Sequence, residues 1–390
     1  MRRFLIGLAG GLVLGYVGFR AAQAAADLRD PLPPLRADPK AYGRLRRRLM
    51  LSGILRSLAE LGAAAYGTGA ALAPRDGGPE ARPRRIALLG SALFLSSLLE
   101  LPVGYMEGHV LERRYGLSKQ DARAWGIDQA KALGISLAIA LPLLELLASV
   151  IERAPRSWPV LATVGTVPLL IVANVIAPNL IAPLFNKFEP IDGPLERRLR
   201  ALATRYGAGD ATILRVDMSR QTEKANAYVT GLFGSKRIVI GDTLLGHFEE
   251  PEIEFVVAHE LGHFVTGDVW RSVAAGTGAA ALVFFGASAV ADGGKRSLAS
   301  ASGLGRLFFA ASLIALSIGP AMAWFSRSRE CAADQFALEA TRDPQGGIDA
   351  FRRLRDRNLA EEAVPLWMEV LFASHPSLRS RIRMLESSKG

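Results

Sequence analysis

The sequence predicts a predominantly α-helical, polytopic membrane protein with about seven spanning helices and a small α/β metal-binding unit between them. Three observations carry this. Half of the 390 residues are hydrophobic, and they gather into long runs rather than spreading evenly. Seven runs approach or exceed the ~20 residues that a helical bilayer crossing needs. Between and after those runs lie two polar regions, and the first contains a His-Glu-x-x-His pattern.

The runs are 4–22, 50–73, 86–106, 130–151, 158–182, 272–290 and 306–325. The first follows Met1-Arg2-Arg3 and ends in "RAAQAAAD", so a signal peptide is one reading. Its length and the six later runs favour an uncleaved anchor. Arg56 and Glu60 interrupt the second. The fifth carries Pro168, Asn174, Pro178, Asn179 and Pro183. Breakers at membrane depth need protein or a water-filled cavity to receive the freed backbone groups. Glu100 and Glu145 read either as bundle-facing carboxylates or as interfacial ones.

The net charge is +10, and arginine dominates it. Basic residues concentrate in the first loop (Arg20 to Arg48) and the third (Arg113 to Arg123). That bias places both loops in the cytosol, and with them residues 186–271 and the C-terminal tail; Arg2 and Arg3 oppose it. In a membrane protein such charge gives no reason to expect a nucleic-acid partner. The single cysteine, Cys331, excludes an intramolecular disulfide and a cysteine metal cluster. Beside Glu330 on a helix it reads as a small buried residue.

The chain divides into 1–185 (about five spans), 186–271 (a soluble insert), 272–325 (spans six and seven) and 326–390 (a helical tail). In the insert, Glu196 to Gly207 is an amphipathic helix closed by glycine. Ala211 to Met218, Lys224 to Leu232 and Lys236 to Asp242 read as strands, the last two joined by the short loop "FGS".

His259 and His263 are four residues apart, so on a helix both imidazoles leave one face, a turn apart, as two tetrahedral zinc ligands require. Glu260 beside them is placed to reach a metal-activated water without ligating. A catalytic zinc takes three protein ligands and leaves a fourth position open. "SRSRECAADQFAL" supplies Glu330 as the third ligand and Asp334, one turn on, to fix the tautomer of a ligand histidine. The alternative for this pair is a solvated helix face; the small residues around it suit close packing better. Asp268 reads equally as a supporting carboxylate or as helix-end chemistry. His109 and His247 lack partner spacing and read as structural. His375 alone, before a proline in a polar tail, carries little.

"AHELGHFVTGD", "SRSRECAADQFAL", "EKANAYVTGLFGSKRIVIGDTLL", "APLFNKFEPIDG" and "SHPSLRSRIR", in this order, resemble the type I CAAX prenyl endopeptidases, which are integral-membrane zinc metalloproteases. The resemblance runs from about Pro102 to Met384; the first two runs match only in hydropathy. It implies seven membrane helices enclosing a water-filled chamber capped by the zinc domain. It makes His259, His263 and Glu330 the ligands of one Zn2+, Glu260 the general base and Asp334 the supporting carboxylate. It puts Asn226 and Tyr228 on the strand that pairs with substrate, His375 on the substrate carbonyl or oxyanion, and Arg381 in support of the same pocket. The implied partners are membrane lipid and a peptide or protein, with or without lipid on its C-terminus. The expected location is a bacterial inner membrane with the catalytic unit facing the cytosol. The second reading is a heat-shock-type membrane quality-control protease; a third is a transporter or receptor with a structural zinc, for which no fourth ligand stands out.

Overall fold

The computed structural model describes residues 37–68, 80–232, 235–291 and 297–388. The first apolar run, with the question of its cleavage, and the Phe233-Gly234 part of the hairpin loop lie outside the described residues.

Helix α1 (Pro39–Ala63) starts at Asp38, whose carboxylate accepts from Lys40 N, and runs on into a π-helical stretch, Ala64–Thr68. Its charges, Arg44 to Arg48, Arg56 and Glu60 among them, make it too polar to count as a span on composition. Five helices among the described residues are long and apolar enough to cross a membrane. These are α2 (Arg82–Tyr105, extended to Arg114), α3 (Ala122–Arg153), α4 (Trp158–Ile176, extended to Leu184), α7 (Asp268–Val290) and α8 (Ala301–Thr341). They coincide with the last five predicted runs. Their outer surfaces are apolar and uncovered, as at Leu146, Val164, Leu180, Leu282 and Val290.

The breakers act where the sequence places them. Pro102 lies in α2 just ahead of the π-helical stretch Met106–Val110, where the missing proline N–H disturbs the regular ladder. Pro178 and Asn179 sit in a further π stretch, Ala177–Ile181, and Pro183 in the 3-10 turn after it. The Asn174 and Asn179 amides donate to carbonyls one turn back, Leu170 O at 2.9 Å and Val175 O at 2.7 Å. Glu145 is a bundle residue: it is buried, and Arg85 grips it through two nitrogens at 2.9 and 2.7 Å. Glu100 pairs with Arg56 of α1 at 3.0 Å.

Between α4 and α7 lies a four-stranded sheet in the order β1-β2-β4-β3. Strand β1 (Phe188–Pro190) is absent from the sequence reading. Strands β2 (Thr212–Val216), β3 (Ala227–Thr230) and β4 (Arg237–Gly241) fall inside the three predicted segments. β2 and β4 are parallel, with Ile213 opposite Ile238. β3 joins β4 antiparallel, with Tyr228 opposite Val239, and among the described residues its other edge carries no strand. One face, with Ile213, Ala227, Ile238 and Ile240, packs on helices α5 (Pro194–Arg205) and α6 (Glu250–Val265). The other gathers Leu214, Val216, Val239 and Tyr228.

Helix α6 is almost wholly enclosed: Phe255, Ala258 and Leu261 are fully buried. A capping box between Glu249 and Glu252 satisfies its first turn. Helix α8 has 41 residues, which at 1.5 Å each is ~60 Å, about twice the hydrocarbon core. One unbroken helix therefore crosses the membrane and delivers Glu330 and Asp334 beyond it. Helices α9 (Pro344–Asn358), α10 (Leu366–Leu371) and α11 (Leu378–Ser387) complete the chain.

Candidate metal centre and active site

The site forms where α6 crosses α8. Their approach is close because both contribute minimal residues: a Cβ on Gly262 would lie 3.1 Å from Ala333 Cα. Across this contact His259 Nε2 is 3.3 Å from His263 Nε2 and 3.3 Å from Glu330 Oε2, and His263 Nε2 is 3.4 Å from Glu330 Oε1. Each histidine is held from behind. His259 Nδ1 donates to Asp334 Oδ1 at 2.8 Å, and His263 Nδ1 to Asp268 Oδ2 at 2.8 Å. With the protons on Nδ1, both Nε2 lone pairs point at each other and at a carboxylate. Glu330 Oε2 is buried and makes no hydrogen bond of good geometry. Such an arrangement calls for a cation. Its 3.3–3.4 Å edges match a tetrahedron of ligands ~2.0–2.1 Å from its centre, so the residues fit a metal ion.

The supporting carboxylates are themselves fixed. Arg381 donates to Asp334 through Nε at 2.7 Å and Nη2 at 2.6 Å, a bidentate grip, and is almost fully buried. Arg329, the neighbour of Glu330, donates Nε to Asp268 Oδ1 at 2.6 Å, and Thr266 Oγ1 adds a bond at 3.0 Å. Gly267 adopts φ +70°, which ends α6 and turns the chain so that Asp268 opens α7 while facing back to His263. Asp268 is thus a supporting carboxylate. Arg329 is missing from the sequence reading, since an arginine in "SRSRE" looks like any interfacial charge.

Glu260 is partly buried beside the pair. Burial pushes its carboxyl above the ordinary range, while the two histidines and the Val229 backbone amide pull it back only in part. That amide places edge strand β3 against the site. The strand's entry is pinned by Asn358, which accepts from Ala225 N at 2.8 Å and donates to Ala225 O at 3.2 Å. Asn226 precedes β3; its side chain is exposed and its carbonyl accepts from Gly241 N at 2.9 Å. The Tyr228 side chain belongs to the far face of the sheet, with Leu214 and Val239. His375 comes to the centre: its Nε2 is 3.3 Å from Glu330 Oε1 and its Nδ1 is 2.8 Å from Ser374 Oγ, although the side chain is exposed. Cys331 departs from expectation: it is exposed, because its side of α8 turns away from α6. His109 is structural, buried and stacked on Tyr105.

Residues 191–389 match the model of peptidase family M48, just over half of the chain. The chain belongs to peptidase family M48. Residues 51–187 match the five-helix N-terminal unit of CAAX prenyl proteases. Among relatives, the metalloprotease YhfN of Bacillus subtilis is 29% identical over 76% of this chain and 72% of its own. CAAX prenyl protease 1 of Saccharomyces cerevisiae is 38% identical over 46% of this chain and 40% of its own. A crystal structure of S. mikatae Ste24p superposes with a TM-score of 0.78 over 98% of this chain and 99% of that one, at 24% identity, and shows the same fold. This M48 member is a membrane-embedded metalloprotease of the CAAX prenyl protease type, multi-pass and in contact with lipid, acting on peptide. The heat-shock reading is not favoured. The family implies a metal ion, and among the described residues His259, His263 and Glu330 form a group that could hold it.

Proposed function

We propose that the protein is a zinc endopeptidase that cleaves extended peptides near a lipid-modified C-terminus. The observation that carries the chemistry is the convergence of two Nε2 lone pairs on the buried, unpartnered Glu330 Oε2. His259, His263 and Glu330 would hold one Zn2+. Bound there, zinc would supply Lewis acidity, activating a water near neutral pH and polarising the peptide carbonyl. Glu260 takes the proton of the attacking water and passes it to the leaving amine; its raised pKa suits both halves of that transfer. His375 donates to the oxygen that gains charge. Asp334 and Asp268 keep the ligand histidines in the Nδ1–H tautomer, and Arg381 balances the charge of Asp334. The open edge of β3 offers backbone donors and acceptors to a substrate strand at Ala227, between Asn226 and Tyr228, since the Asn226 carbonyl is taken by Gly241 N.

In this reading the site faces the cytosol, which the distribution of arginine between loops supports, and a bacterial inner membrane is the setting the proposal takes. Nucleic acid has no place in this reading. The test compares purified protein with and without a chelator on a farnesylated peptide and on its unmodified twin. Zinc at one per chain, chelator-sensitive cleavage and preference for the farnesylated peptide are expected. Metal-independent cleavage overturns the zinc centre; equal rates on the two peptides overturn the lipid preference alone.

A further inference from the structure

Helix α10 leads the chain to His375, and its six residues sort cleanly by side. Leu366 is 76% exposed, Trp367 47%, Val370 44% and Leu371 38%. At ~100° per residue these four fall within an arc of ~140°. Met368, 8% exposed, and Glu369 take the opposite side, where Glu369 accepts from Ser377 N at 3.3 Å. The helix is amphipathic, and its apolar face is bare.

Its height in the molecule is set by α8. Arg327 Nη1 donates to the carbonyls of Glu369 at 2.5 Å and Ala373 at 2.9 Å. Arg327 is three residues past Trp324, which is 66% exposed at the end of the seventh apolar run. Three residues are ~4.5 Å along a helix axis, and the polar zone of a bilayer is ~5–7 Å thick on each side. The end of α10 is therefore tied to the level where the lipid-facing surface of α8 stops. Tryptophan favours that level, and Trp324 and Trp367 both stand bare there.

We propose that α10 is an interfacial anchor, its Leu366, Trp367, Val370 and Leu371 face seated in the headgroup–acyl boundary of the bilayer. Lipid is the occupant because the face continues, at one level, a surface that already belongs to a membrane span. The anchor has a consequence for the site. Arg327 fixes Ala373, and two residues on His375 Nε2 lies 3.3 Å from Glu330. Seating α10 in lipid thus sets the height of His375 over the metal ligands. That consequence rests on the proposed role of His375; the lipid contact does not.

The chain has five tryptophans, so replacing Trp125, Trp158, Trp270 and Trp324 by Phe leaves Trp367 as the sole indole. The probe is a phosphatidylcholine nanodisc whose lipids are brominated near the headgroup end of the acyl chain, against aqueous acrylamide. An indole ~5–10 Å into the boundary loses about half or more of its emission to bromine and little to acrylamide. Should the four replacements impair folding, Trp367→Phe in the otherwise native chain reads the same contact as a fall in the bromine-quenched fraction. Quenching by acrylamide alone overturns the anchor. Bromine quenching abolished by saturating farnesylated peptide reassigns the face to a substrate tail, and quenching lost as protein concentration rises reassigns it to a second copy; either overturns the proposal. Leu366→Ser with Leu371→Ser tests the consequence: kcat falls roughly 10- to 100-fold with zinc content unchanged, as for a misplaced catalytic group.

Discussion

His263 Nδ1 stands 2.8 Å from Asp268 Oδ2 across the break between α6 and α7. The first residue of a membrane span thereby orients a residue of the metal centre, and any tilt of α7 is felt there. Asp268→Ala is expected to weaken zinc binding about 10- to 100-fold, the usual effect of losing a partner behind a ligand histidine. Asp268→Asn, which keeps an acceptor, should lose less. Competition against a chelator of known affinity measures both. Affinity equal to that of the unsubstituted protein would reduce Asp268 to a helix-start residue.

Glu260→Gln should lower peptide cleavage by a factor of about 10² to 10⁴, the range for a lost general base. Zinc content should stay at one per chain, because the three convergent groups are untouched. Activity and metal analysis on the same preparation decide it; wild-type turnover in this variant removes Glu260 from the mechanism.

His375 is exposed yet 3.3 Å from Glu330, so its removal should spare the fold. His375→Ala is expected to lower kcat about 10²- to 10³-fold, as for loss of an oxyanion donor, with little change in KM. A rise in KM at constant kcat would assign it to ground-state binding instead.

In chelated protein a proton takes the metal's place. Burial alone would lower His259, but its bond to Asp334 and the Glu330 carboxylate 3.3 Å from its Nε2 prevail and raise it to about 9. A histidine raised above its unfolded value of ~6.5 contributes stability that is complete below that value and lost as pH climbs through the folded one. The chelated protein should therefore melt at a higher temperature near pH ~6 than near pH ~9.5. With zinc restored the trend reverses between pH ~6 and ~7, since protons compete for the same nitrogens. A flat melting temperature in the chelated series would mean that no proton is held between the ligands.

The spans from α2 onward were legible because apolar runs of bilayer length have few other uses. The pairing of His259 with His263 follows from helical spacing alone. Glu330 and Asp334 were found because the small residues of "ECAAD" mark a helix packed tightly on another. What escaped was tertiary. Nothing local in "SRSRE" reveals that Arg329 reaches Asp268 across two helices. Strand β1 is three residues long, too short to show an alternation. Asn358, at the end of an ordinary amphipathic helix, gains its role only by lying against Ala225. Cys331 was misread because the tight face of α8 was extended to a neighbour about 100° away from Glu330.

The contact that makes the site possible is itself testable. A methyl group at Gly262 would meet Ala333 Cα at 3.1 Å, Phe336 Cδ1 at 3.2 Å and Ala333 O at 3.3 Å. Two of these are backbone atoms, so α8 must shift by tenths of an ångström. Glu330 lies one turn from Ala333 and would move with it. Gly262→Ala is expected to cost ~1–3 kcal/mol, as overpacking does, and to weaken zinc binding as well. Gly278→Ala in α7 is the control, because a methyl there meets nothing within 4 Å. With no clash to offset the gain in helix propensity, it should be neutral or stabilise by up to ~1 kcal/mol. Thermal unfolding with zinc titration on the two variants separates the cases. Equal behaviour would show that α6 and α8 tolerate separation, and that the tightness of their crossing does not hold the three ligands together.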